Sequence, residues 1–149
     1  MSAVTPLDHT TNAQGVVRYL DIKFPLRTIY DFIEVSRSGI TKKNLIHLSK
    51  TIHIGLKELA QILHISERTL QRYALNKKLS IEVSTKVLQL AKLYAKGEQV
   101  FGDPERFRTW MSLPNTALGH KCPIHLLDTT FGFQVVNDEL IRIEHGIFA

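Results

Sequence analysis

The sequence predicts an all-α fold in two parts, a helical domain built on a helix-turn-helix and a small helical domain after it. Three observations predict this. Apolar residues recur at helical spacing in segment after segment, and no β alternation or hairpin signal interrupts them. Leu56 to Tyr73 reads as a helix, a tight step and a second helix. The charge divides along the chain: residues 41–96 hold eleven Lys or Arg against three Asp or Glu, whereas residues 97–149 hold four against seven. With an apolar fraction of 44% over 149 residues, the chain is rich enough in apolar side chains for one core or two small ones. The organisation read from these signals is an N-terminal arm over 1–25, a helix-turn-helix domain over 26–100 and a C-terminal domain over 101–149.

Residues 1–15 are polar and read as a mobile arm. Gly15 to Phe24 suits either a short helix or an extended piece. Pro25 is a good first helical residue, and Leu26, Ile29, Tyr30 and Ile33 give the next helix its apolar stripe until Ser38-Gly39. Thr41 caps a third helix with the stripe Leu45, Leu48 and Ile52. The central pair follows: Leu56, Leu59, Ala60 and Leu63 on its first helix, then Leu70 and Tyr73 on its second, with Ser66 as N-cap and Glu67 in the positive first turn. Ala60 is small where the axes cross, and His64 occupies the turn position that calls for a positive φ.

Facing outward from the second helix are Ser66, Arg68, Thr69, Gln71 and Arg72, followed by the basic turn of Lys77 and Lys78. Arg pairs with guanine and Gln with adenine through two hydrogen bonds, while Ser and Thr suit phosphates or base edges. Such a helix can lie in the major groove of operator DNA, and the cationic middle of the chain suits phosphate binding. The alternative is an ordinary helical hairpin whose polar groups are solvated.

Ser80 caps a long helix with Val83, Val87, Leu90, Ala91 and Tyr94 inward and Lys86, Lys92 and Lys96 outside, running to about Val100. Asp103 and Pro104 restart the chain for a helix to Met111, with Trp110, Phe107 and Leu113 on one side. Asn115 caps a turn to Gly119, and Pro123 starts a short helix over Ile124–Asp128. Gly132 to Glu144 forms the last helix, with the stripe Val136, Leu140 and Ile143.

His120, Cys122 and His125 have a spacing that zinc tolerates, but no second cysteine exists to complete the set. No phosphate-binding glycine loop or nucleophile elbow is present. The chain therefore reads as a non-enzyme without cofactor or metal. One cysteine fits a reducing compartment. No stretch nears the roughly 18 apolar residues of a membrane span. The reading is a cytoplasmic protein with no membrane partner.

The second half, VFGDPERFRTWMSLPNTALGHKCPIHLLDTTFGFQVVNDELIRIEHGIF, resembles the toxin-binding domain of the Xre/MbcA/ParS antitoxins. The matching residues are Phe101, Gly102, Asp103, Trp110, Pro114, Asn115, Ala117, Leu118, Gly119, Pro123, Leu126, Leu127, Gly132, Val136, Leu140, Ile143, His145 and Gly146. Phe107 stands where Ala is common, Met111 where Leu is usual, and His120 replaces a second Gly. The resemblance extends back to about residue 26, where it implies an Xre/Cro-like helix-turn-helix.

It implies a type II antitoxin that neutralises a cognate toxin, most often a RES-domain enzyme that destroys NAD⁺. It also implies repression of the antitoxin's own operon and a homodimer within a toxin–antitoxin hetero-oligomer. Leu140, Arg142, Ile143, Glu144, His145, Gly146, Ile147 and Phe148 match the terminal run expected to cover the toxin's active-site entrance. An acidic half with an apolar tail would suit a cationic, NAD-handling cleft. The competing reading is a stand-alone helix-turn-helix regulator without a toxin partner.

Overall fold

The computed structural model describes residues 13–23 and 25–146. Among them are eight α-helices, two single 3-10 turns and no strand. The chain separates into two compact units that divide in sequence between Ala95 and Lys96.

In the first unit, α1 (Ala13–Leu20) buries Val16, Tyr19 and Leu20. It docks on α3 (Lys42–Ile52): Asn44 Nδ2 donates to the Leu20 carbonyl at 2.8 Å, and His47 Nε2 lies 3.1 Å from the Arg18 carbonyl. This part of the expected arm is therefore packed helix; residues 1–12 lie outside the described residues.

Helix α2 (Ile29–Ser38) starts four residues later than Pro25. The Asp31 carboxylate fixes that start by accepting backbone N–H bonds from Arg27 at 2.6 Å and Thr28 at 2.9 Å. Those bonds hold the Asp31 carboxyl below its ordinary pKa. The expected stripe is also corrected. Phe32 and Val35 are buried, whereas Ile29, Tyr30 and Ile33 are 46%, 59% and 37% exposed. Two apolar lines run along this helix, and the Phe32 line faces the core. Lys92 Nζ covers the Phe32 ring at 5.3 Å, a cation–π contact that helps select that face.

Helix α3 has the expected cap, Thr41 Oγ1 accepting from Asn44 N at 3.1 Å, and buries Leu45, Leu48 and Ile52. Helices α4 (Leu56–Leu63) and α5 (Glu67–Arg72) follow, then α6 (Ile81–Phe101). Ser84 of α6 is buried and accepts from Ile40 N at 2.8 Å while donating to the Leu79 carbonyl at 3.2 Å, so both polar functions of its hydroxyl are used.

The second unit takes the end of α6, α7 (Pro104–Ser112), the turns Thr116–Leu118 and Pro123–Leu126, and α8 (Thr130–Glu144). Asp103, Asn115 and Thr129 cap their segments as side-chain acceptors. Phe107 is buried and stacks on Trp110 with ring centroids 5.9 Å apart, and Phe101 approaches both. Phe107 has room because residue 97 is glycine: a Cβ there would stand 2.3 Å from its ring. His120 takes a positive φ of 62°. Leu113, expected beside Trp110, is exposed. Pro123 starts a 3-10 turn that ends at Leu126, short of Asp128. Lys96, expected outside, is largely covered and approaches Glu144 at 3.8 Å.

Candidate functional site

The first candidate surface is local chain chemistry made rigid. Helix α4 ends at His64, whose φ of 56° is the left-handed conformation the turn requires. The His64 and Ile65 N–H groups close onto Ala60 and Gln61 carbonyls, and buried Ala60 keeps the crossing tight. Ser66 then caps α5: its Oγ accepts from Thr69 N at 3.0 Å and donates to Thr69 Oγ1 at 2.6 Å. Leu70 is fully buried and anchors the helix.

Arg68, Gln71 and Arg72 are exposed on the outer side of α5, as expected, with Ser66 exposed and Thr69 half-buried. Ser66 and Thr69 therefore spend their hydroxyls on each other. Gln71 Nε2 donates to Glu67 Oε1 at 3.2 Å, a bond that would have to open for Gln71 to read a base. Among the described residues no carboxylate pairs with Arg68, Arg72, Lys77 or Lys78. Lys77 Nζ lies 5.5 Å from the Tyr73 ring centroid.

Lys42 was not singled out by the sequence, yet it holds this surface. Its side chain is buried, and Nζ donates to the Gln71 carbonyl at 3.1 Å and the Tyr73 carbonyl at 2.8 Å. A cation on the last carbonyls of a helix suits both their lone pairs and the helix dipole. The backbone repeats the linkage: Lys42 N donates to Lys77 O, Lys43 N to Leu75 O and Leu79 N to Ile40 O at 2.8–3.0 Å. The basic turn is thus pinned to the start of α3. No periodicity announces a lysine that works across 29 residues of chain.

The second candidate surface is the end of α8. Leu140 is fully buried, so it belongs to the core and offers a partner nothing directly. Ile143 is half-buried, and Arg142, Glu144, His145 and Gly146 are exposed. Arg142 pairs with Glu139 at 3.3 Å. His145 caps the helix through its N–H, and Gly146 turns the chain with φ 69°. Ile147 and Phe148 lie outside the described residues.

A basic helix-turn-helix unit is thus followed in the chain by a small acidic helical unit, the first carrying the charge footprint of a nucleic-acid-binding domain. The chain belongs to the Xre/MbcA/ParS family of antitoxins. Residues 31–92 match the antitoxin Xre-like helix-turn-helix domain, and residues 96–146 match the antitoxin Xre/MbcA/ParS C-terminal toxin-binding domain. The chain is 33% identical over 141 residues to the Prs ADP-ribosylating antitoxin of Sphingobium sp. (strain YBL2), spanning 85% of this chain and 89% of that protein. It is 36% identical over 69 residues to the antitoxin Xre of Yersinia enterocolitica serotype O:8 / biotype 1B (strain NCTC 13174 / 8081), 46% and 47% of the two chains. No helix among the described residues is long and apolar enough to cross a membrane.

Proposed function

We propose that this antitoxin neutralises a RES-type, NAD⁺-degrading toxin by covering its active site, and represses its own operon through the helix-turn-helix. The observation that carries the first half is the toxin-binding domain match over residues 96–146, the acidic part of the chain. The name of the Sphingobium relative supports an NAD⁺-consuming partner, because ADP-ribosylation draws its group from NAD⁺. Arg142, Ile143, Glu144, His145 and Gly146, continued by Ile147 and Phe148, form the part that enters the toxin's mouth. The mode of action is binding rather than catalysis, in the cytoplasm, as a homodimer within a toxin–antitoxin hetero-oligomer. For the second half, Arg68 and Arg72 contact operator bases or phosphates, and Lys77 and Lys78 add phosphate contacts.

Co-expression with the neighbouring reading frame tests the reading. That product alone should arrest growth and deplete NAD⁺, and this chain should restore both. Deleting residues 142–149 should abolish the rescue while leaving operator binding intact. A neighbouring product that is harmless, or that stays toxic beside the full chain, would leave a stand-alone helix-turn-helix regulator as the better description.

A further inference from the structure

Helix α8 carries two apolar lines, and only one of them is used within the unit. Val136 and Leu140 point inward and are fully buried. Phe131 and Val135, one turn apart, point outward and are 81% and 45% exposed. At about 100° per residue, Gln134, Asp138, Arg142 and His145 fall on the same side as that pair. All four are exposed, so one continuous face runs from Phe131 to the end of the helix.

The backbone under Phe131 is held firmly. Thr129 Oγ1 accepts from Gly132 N at 3.0 Å, and the Thr129 carbonyl accepts from Phe133 N at 3.0 Å. Gly132 itself presses on the Pro123–Leu126 turn so closely that a Cβ would lie 1.8 Å from the Leu126 carbonyl oxygen. An aromatic ring in water on a fixed backbone has little ordering entropy left to lose on docking, which is the property of an interface anchor.

We infer that the Phe131–Val135 face of α8 is where the toxin first seats, with Phe131 in an apolar pocket of the toxin, Val135 at its margin, and Asp138 and Arg142 as polar rim. This rests on the toxin reading given above. The occupant is the toxin rather than a second copy for two reasons. The toxin-binding domain match covers this helix. The segment 97–149 has an excess of carboxylates, which repels its own copy and attracts the cations that a phosphate- and NAD⁺-handling protein presents.

Full-length Phe131→Ser and Val135→Ser chains, each titrated against the purified product of the adjacent reading frame, test the inference. Phe131→Ser should weaken binding by about tenfold or more, as expected of a central aromatic anchor. Val135→Ser should weaken it by less. Operator affinity and thermal midpoint should stay at parental values, since both side chains are solvent-exposed. Parental affinity for the toxin in both variants overturns the inference alone. A parent chain that fails to bind the adjacent product overturns the toxin reading, and the inference with it. Weaker self-association of the free Phe131→Ser chain with toxin affinity unchanged would assign the face to a second copy and also overturn it.

Discussion

The two units present their partners with opposite chemistry. On the helix-turn-helix side the exposed groups of α5 are guanidiniums and an amide, standing on a helix of six residues whose C-terminal carbonyls are held by Lys42. On the α8 side the exposed apolar groups are a phenyl ring and a valine, with Gln134, Asp138 and Arg142 beside them, standing on fifteen residues of helix whose first turn is wedged against Leu126. A cationic surface gains from phosphate anywhere along a duplex and finds its register afterwards. An apolar anchor gains only from a matching pocket, so it must be rigid before contact. In keeping with the roles proposed for them, the first surface is fastened by hydrogen bonds at its far end, and the second by hydrogen bonds and packing directly beneath Phe131.

The largest expected effect falls on the cationic side. Arg68→Ala combined with Arg72→Ala should cost about 2–6 kcal/mol of operator affinity if each Arg reads a base edge, and less with a shallower salt slope if both meet phosphates. Binding isotherms at three salt concentrations distinguish these outcomes. Toxin neutralisation should be unaffected; its loss would mean the two surfaces are not chemically separate. Next comes the wedge. Gly132→Ala places a methyl group into the Leu126 carbonyl and should destabilise the second unit by about 1–3 kcal/mol or more, as overpacking does. Thermal unfolding would show it, and toxin affinity should fall while operator binding persists. An unchanged midpoint would mean the first turn of α8 yields, and the contrast in rigidity would then disappear.

Much of the helix-turn-helix was legible because its determinants are local. Ser66 caps within three residues, Leu70 anchors by periodicity, and His64 must take the left-handed turn that Ala60 and Gln61 close. Asp103 and Asn115 were legible for the same reason, whereas the Thr129 cap was not, and α8 starts at Thr130 rather than Gly132. What escaped was the choice between two apolar lines on α2. Ile29, Tyr30 and Ile33 have helical spacing as good as that of Phe32 and Val35, whereas on α8 the expected line of Val136 and Leu140 is the buried one. Spacing identifies a helix, but packing partners distant in sequence decide which line is buried. The notch that Gly97 offers Phe107 is hidden for the same reason, as is the reach of Lys42 to the end of α5.

Lys42→Met is the next test of the contrast. It keeps the stem and removes the ammonium, leaving the Gln71 and Tyr73 carbonyls without their charged donor. The loss should be about 1–3 kcal/mol in stability of the first unit, the usual cost of removing a charged partner from a buried hydrogen bond. If fastening of α5 matters for reading DNA, operator affinity should fall further than the stability loss alone accounts for, and hydrogen exchange over Glu67–Arg72 should quicken. Exchange rates equal to the parent's would show that the backbone links to Lys77 and Leu75 suffice.

The smallest effect belongs to Asp31, and its value lies in its sign. The backbone N–H groups of Arg27 and Thr28 hold its carboxyl below the ordinary value, so the folded state binds a proton less readily than the unfolded chain. The stability it contributes is therefore present above the unfolded carboxylate pKa, about 3.9, and is lost as pH falls through the lower folded value. Asp31→Asn keeps the shape and removes the charge. The parent should melt slightly higher than this variant at pH 7, and the gap should close as the solution is taken below about pH 4. The change should appear only in the transition that also moves with Lys42→Met, because α2 and α3 belong to the same unit. A gap that stays constant with pH would show that the α2 start is set by Thr28 and the exposed Ile29 turn rather than by the carboxylate, and the polar fastening attributed to this unit would rest on Lys42 alone.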